Sequence, residues 1–201
     1  GAEFRVYASR ALQEIEAGRM ALADLGGLQS GQLKVGAFPT FLNTVVPVTV
    51  AAFNRAYPKV KVEVQDLRAG AIEQQLLDGD LDLGIAFHPA QHDEIEAEVL
   101  FEERLLLVVG PQHPLAGRTR LALAELAGLA LALLPRVFAT RRLIDDRLRQ
   151  AGVLPRVLVE LDSVESLLGV CRYGDLASIV PERAARHAPD LPATSLTQAE
   201  A

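Results

Sequence analysis

At 201 residues, half of them hydrophobic, the chain is long enough to bury one large core or two smaller ones and too apolar to remain unfolded. A formal net charge of -6 argues against direct contact with a phosphate backbone, which needs clustered Lys and Arg. A single cysteine, Cys171, excludes an internal disulfide framework and an all-cysteine metal site, which fits a reducing compartment and points to the cytoplasm. No apolar run approaches the roughly 20 residues of a membrane span, and the N-terminus lacks the basic-then-apolar layout of a signal peptide.

In chain order, Gly1–Phe4 (GAEF) has the character of a vector remnant. From Phe4 to Leu25, apolar or small residues at Phe4, Ala8, Ala11, Ile15, Gly18, Leu22 and Leu25 follow the four-three spacing of a heptad seam, consistent with either a coiled coil or an amphipathic helix packed on its own domain. Gly26 and Gly27 end it. Short apolar runs then alternate with helical stretches, the pattern of a parallel α/β sheet. Leu33–Phe38 is predicted as a buried strand, and Phe41–Tyr57 as a helix capped by Thr40 and stopped by Pro58. A half-buried strand is predicted at Val60, Val62 and Val64, a helix over Ala71–Leu77 and a strand over Leu81–Phe87. Leu105–Gly110 is a fourth strand, and the aperiodic stretch Pro111–Arg118 suits a lobe boundary. The second half repeats the logic: strand Leu129–Leu134, helix Ala139–Gln150, strand Arg156–Leu161, helix Val164–Tyr173 and strand Leu176–Val180.

No constellation of catalytic residues emerges. Cys171 shares helical spacing with Val164, Leu167 and Leu168 and so belongs to a buried face. His88 and His92 are four apart, but Pro89 interrupts any helix between them and no third metal ligand is spaced to match. The sequence lacks the glycine-rich phosphate loops and the nucleophile elbow, so neither cofactor nor metal is expected.

Three stretches resemble the effector-binding domain of LysR-type transcriptional regulators, and together they span nearly everything after Gly31. They are Gly31–Thr40 (GQLKVGAFPT), the pair Leu81–Phe87 and Leu105–Leu115 (LLLVVGPQHPL), and Gly174–Pro181 (GDLASIVP). The last departs from the usual pattern of small residues at Asp175, Leu176 and Ala177. Leu131–Asp145 and Ile85–Pro89 are similar to regulators of the cyanate-operon type. The resemblance implies an α/β fold with two Rossmann-like lobes of the type II periplasmic-binding-protein kind, preceded by part of a linker helix. It divides the chain into vector remnant and linker helix (1–30), lobe I (31–110 and 190–201) and lobe II (111–189). It further implies a small-molecule effector held in an interlobe cleft, a homodimer or homotetramer, and DNA contact only through an N-terminal winged helix-turn-helix absent here. An ending soon after Leu191–Leu196 is earlier than the family's usual return to lobe I, which suggests a piece of a longer protein.

Ligands of open α/β sheets sit beyond the carboxyl ends of the strands. Thr40 and Phe41 follow the first strand, where a threonine either caps its helix or, as the resemblance implies, faces the effector. Phe87 and His88 end the third strand. Phe138, Thr140 and Arg141 stand at a second strand-to-helix turn, where Arg141 or Arg142 offers a charge-assisted bond to a small anion. The alternative is a periplasmic-type solute-binding protein with the same fold; an enzyme is not expected.

Overall fold

The computed structural model describes residues 31–197, so the heptad-like segment and the GAEF start lie outside the described residues. The chain folds as two compact units, with the boundary between Val99 and Leu100.

The first unit is built on β1 (Gly31–Ala37), β2 (Val60–Asp66) and β3 (Leu83–Ile85), a three-stranded parallel sheet of order β2-β1-β3. Parallel pairing demands crossovers, supplied by α1 (Pro39–Leu42) with α2 (Val46–Ala56), and by α3 (Ala69–Asp78). The predicted single helix Phe41–Tyr57 is therefore two helices. Pro47 lacks an amide hydrogen, which suits it to the first turn of a new helix rather than the interior of a long one. The core holds Val35, Ala37, Phe38, Phe41, Ile72 and Leu81. Gly36 and Gly84 let it close: a Cβ would stand 2.6 Å from Leu81 Cδ1 at the first and 2.6 Å from Ile72 Cγ2 at the second.

The second unit has β4 (Leu105–Val108), β5 (Arg120–Ala122), β8 (Ser178–Pro181) and β9 (Ala193–Thr197) in the order β5-β9-β4-β8. Beside them lies the pair β6 (Ala130–Leu133) and β7 (Arg156–Glu160), joined to the β8 side by a bridge between Leu131 and Ala177. The amphipathic helix α4 (Ala139–Gln150) contributes Ile144 and Leu148 to one apolar cluster, with Leu107, Leu131 and Leu133. Helices α5 (Val164–Tyr173) and α6 (Glu182–Arg186) contribute Leu167, Cys171, Ala184 and Ala185 to another, with Val108 and Ala132. Because β4 is sandwiched, its residues alternate between the two clusters, which explains an unbroken apolar run.

The strand pairing corrects the lobe assignment read from the sequence. That reading places residues 105–110 and 190–201 in lobe I, yet β4 pairs antiparallel with β8 and β9, and β9 pairs parallel with β5. Both strands thus belong to the second unit, which begins at Leu100 rather than after 110. The aperiodic stretch 111–118 is a turn inside that unit, where His113 Nδ1 accepts the Leu115 amide at 3.1 Å.

Candidate functional site

In the first unit, β1 runs directly into α1. Phe38 is the helix N-cap, in extended conformation and without a side-chain cap bond, and Pro39 occupies the first turn. Thr40 therefore lies inside α1 rather than capping it. Proline's fixed φ starts the helix one residue earlier than the threonine would. The Thr40 carbonyl accepts the Thr44 hydroxyl at 2.9 Å, while its own Oγ1 is buried with no hydrogen-bond partner among the described residues. A buried hydroxyl without a partner costs about 1–3 kcal/mol, so such groups are rare unless something else engages them.

Phe41 and Phe87, both predicted as site residues, meet at this strand end with Phe38, which the sequence reading missed. Ring centroids are 5.5 Å apart for Phe41–Phe87, 5.2 Å for Phe38–Phe87 and 6.3 Å for Phe38–Phe41. Phe38 was legible only as the last apolar residue of a strand, since its partners come from 3 and 49 positions away. His88 is exposed at the rim. Glu73 on α3, also missed, is 7% exposed and accepts the amides of Gln91 and His92 at 2.9 and 3.2 Å, fixing the loop beyond His88.

In the second unit, Phe138 is the extended N-cap of α4, and Thr140 is the second helical residue, as the predicted start at Ala139 requires. Phe138 is 8% exposed and packs in the apolar cluster with Leu134, Val164 and Ala184, a core role that leaves little of the ring for a ligand. Thr140 is 3% exposed. Arg141 is 2% exposed and heavily engaged: Nε donates to Asp145 at 2.9 Å, while Nη1 donates to the Leu134 carbonyl at 2.6 Å and to Glu160 at 2.8 Å. Burial works against its charge, but bonds to Asp145 and Glu160 outweigh that and raise its pKa further. Arg141 thus ties the start of α4 to the ends of β6 and β7. Arg142 is exposed and donates to the Val137 carbonyl at 3.0 Å.

Cys171 is fully buried, and desolvation pushes its thiol up to about 11, which suits a packing residue rather than a nucleophile. Among the described residues no group of three or more His, Cys, Asp or Glu could hold a metal ion, and no helix is long and apolar enough to cross a membrane.

A family model described as the LysR substrate binding domain matches residues 26–197. The transcriptional dual regulator GltC of Bacillus subtilis (strain 168) is 26% identical over 184 residues, covering 90% of this chain and 61% of its own. A probable RuBisCO transcriptional regulator of Cyanidioschyzon merolae is 30% identical over 186 residues, with the same coverage of 90% and 61%. The chain spans about three fifths of the length of these curated relatives, whose names are those of transcriptional regulators and not of enzymes. The Synechocystis PCC6803 CcmR regulatory domain in complex with 2-PG is similar in fold, with a TM-score of 0.75 and 19% identity over 83% of this chain and 81% of that one. The α/β architecture is therefore that of type II periplasmic-binding-protein-like domains, and the chain belongs to the LysR substrate binding domain family.

Proposed function

We propose that this chain is the effector-sensing part of a LysR-type transcriptional regulator, that its effector is a small anion, and that Thr40 is a principal contact. The observation that carries this reading is the Thr40 hydroxyl, buried without a partner among the described residues just past the carboxyl end of β1, next in the chain to Phe41, whose ring meets that of Phe87. A ligand oxygen there would satisfy the donor, and the three rings would shield the bond from water. His88 at the rim completes the proposed contacts of the first unit, and in the second unit, taken by itself, Thr140 in the first turn of α4 is the proposed contact. The free amides of the first turn of this twelve-residue helix favour negative charge. Arg141, whose Nε and Nη1 are committed to protein acceptors, is assigned to holding α4 in place. The resemblance carried by Leu131–Asp145 supports the cyanate-operon subtype, which makes cyanate one arm of the ligand panel. Transcriptional control would be exerted in the cytoplasm, through a winged helix-turn-helix belonging to the longer protein.

The test is a thermal-shift panel of cyanate, small carboxylates and phosphorylated acids, followed by calorimetry on Thr40→Val. Valine keeps the volume and removes the hydroxyl, so effector binding should weaken by about 0.5–3 kcal/mol while the unliganded protein is as stable as before or slightly more so. Unchanged affinity, or a loss of stability without ligand, would sink the assignment of Thr40.

Self-association is proposed as the second requirement of such a regulator. Each unit exposes apolar side chains: Val48 (69%) on α2 and Tyr57 (50%) just after it in the first, and Leu154 (88%) just before β7 and Leu158 (53%) within it in the second. Apolar side chains exposed to this degree are available to a second copy of the chain. Sedimentation at micromolar concentration should show a dimer or larger species, and only a 21.7 kDa monomer would count against it.

A further inference from the structure

The connection between β3 and β4 is fixed at both ends by charged side chains that the proposed effector contacts do not use. On the β4 side, the ladder with β8 places Leu105 opposite Pro181. Just beyond the ladder, β8 passes into α6, and the first two residues of that helix, Glu182 and Arg183, face Arg104 and Glu103, each a pair of opposite charge. The Glu182 amide donates to the Arg104 carbonyl at 2.9 Å, extending the ladder by one bond. Arg104 Nε and Nη2 donate to the two carboxylate oxygens of Glu182 at 2.9 and 3.3 Å, and Arg186 donates to the same carboxylate at 2.7 Å. One step further, Glu103 Oε1 accepts the Arg183 amide at 2.9 Å, with Arg183 Nε 4.0 Å away. The Arg183 guanidinium lies 4.1 Å from the centroid of the Phe101 ring.

At the other end, Glu73 accepts the amides of Gln91 and His92, holding the chain to α3 as far as His92. Between the two anchors, Glu96–Leu100 form no hydrogen bond among the described residues, and Val99 and Leu100 are 58% and 69% exposed. Asp93 and Glu94 lie in the turn just before it, closed by the Ile95 amide on the His92 carbonyl at 3.1 Å, and Glu96 and Glu98 lie within it, all of like charge.

We propose that Glu103, Arg104, Glu182 and Arg183 form a charge-paired latch that makes the connection from Phe101 onward a rigid part of the second unit, while Glu73 anchors the other end to the first. Bending of the connection is thereby confined to residues 93–100. These are positioning residues: releasing the latch would lengthen the pliant segment by the residues from Phe101 to Arg104 without touching the proposed effector contacts.

Limited digestion of the whole chain with a glutamate-specific protease tests this, because glutamates lie on both sides of the proposed limit. In the parent protein the bonds after Glu94, Glu96 and Glu98 should be cut first, and those after Glu102 and Glu103 at least about tenfold more slowly, since cleavage follows local opening. Arg104→Glu should erase that difference with the folded state intact by circular dichroism, and Arg104→Lys should restore most of it. Equal cutting at all five bonds in the parent, or an Arg104→Glu variant that digests like the parent, overturns the latch. If Arg104→Glu does not fold, amide exchange in the parent decides the matter. Protection at Glu182 and Arg183 comparable to that of β8 supports the latch, and exchange as fast as at Glu98 rejects it.

Discussion

Replacing Arg141 with methionine is expected to lower unfolding stability by about 3 kcal/mol, the scale set by breaking a buried ion pair from one side. The guanidinium is 2% exposed and Asp145, its partner within α4, is 17% exposed, so the variant leaves a largely desolvated carboxylate facing an apolar chain on one side, with only the exposed Arg136 Nε at 3.6 Å on the other. The Leu134 carbonyl, which accepts from Nη1 at 2.6 Å, loses a donor at the same time. Glu160 is 48% exposed and water can replace most of what it loses, which keeps the estimate near the lower end of the range. Arg142→Ala, one residue along but exposed, should change stability by no more than about 0.5 kcal/mol. Denaturant unfolding of the two variants without ligand separates a structural strut from an effector contact. Equal stability of Arg141→Met and the parent would return Arg141 to the effector-binding candidates.

Gly110→Val is expected to be comparably damaging, at about 3 kcal/mol, because overpacking against rigid backbone sits at the upper end of such costs. A Cβ at Gly110 would stand 2.4 Å from the carbonyl oxygen of Cys171 and 3.3 Å from that of Gly174. Neither is the end of a pliable side chain: the first is in the last turn of α5 and the second follows it directly. Accommodating a side chain means moving α5 away from the end of β4, which opens the cluster around Val108, Leu167 and Cys171. Gly117→Ala is the control, since a Cβ there meets nothing within 4 Å. Chemical denaturation that finds Gly110→Val within about 0.5 kcal/mol of Gly117→Ala would show that the helix yields more easily than close packing allows.

The elements legible in the sequence were those whose periodicity is local. The stripe Val164, Leu167, Leu168 and Cys171 is buried as the helical spacing requires, and α4 begins and ends where the apolar pattern does. The two-helix crossover after β1 was misread because Phe41–Tyr57 keeps a continuous apolar pattern across Thr44 and Pro47, and only the proline's missing amide hydrogen marks the break. The site was half legible. Strand ends predict where Thr40, Phe87 and Thr140 stand, but burial decides what each does, and burial depends on partners remote in sequence.

By itself, then, the sequence determined a chain of alternating strands and helices, because hydrophobic spacing reports which face of each must leave water. It also determined the packing role of Cys171, since the same spacing puts a small apolar thiol on a buried stripe. Tertiary structure alone decided strand partners: β4 is an apolar run and β9 a short hydroxyl-rich segment, neither of which names its neighbours, and long-range backbone hydrogen bonds place both in the second unit. It alone decided the fate of charge as well. Arg141 and Arg142 are adjacent and chemically identical, yet α4 turns one onto Asp145, Glu160 and the Leu134 carbonyl and leaves the other in solvent, a difference created by successive helical residues pointing about 100° apart.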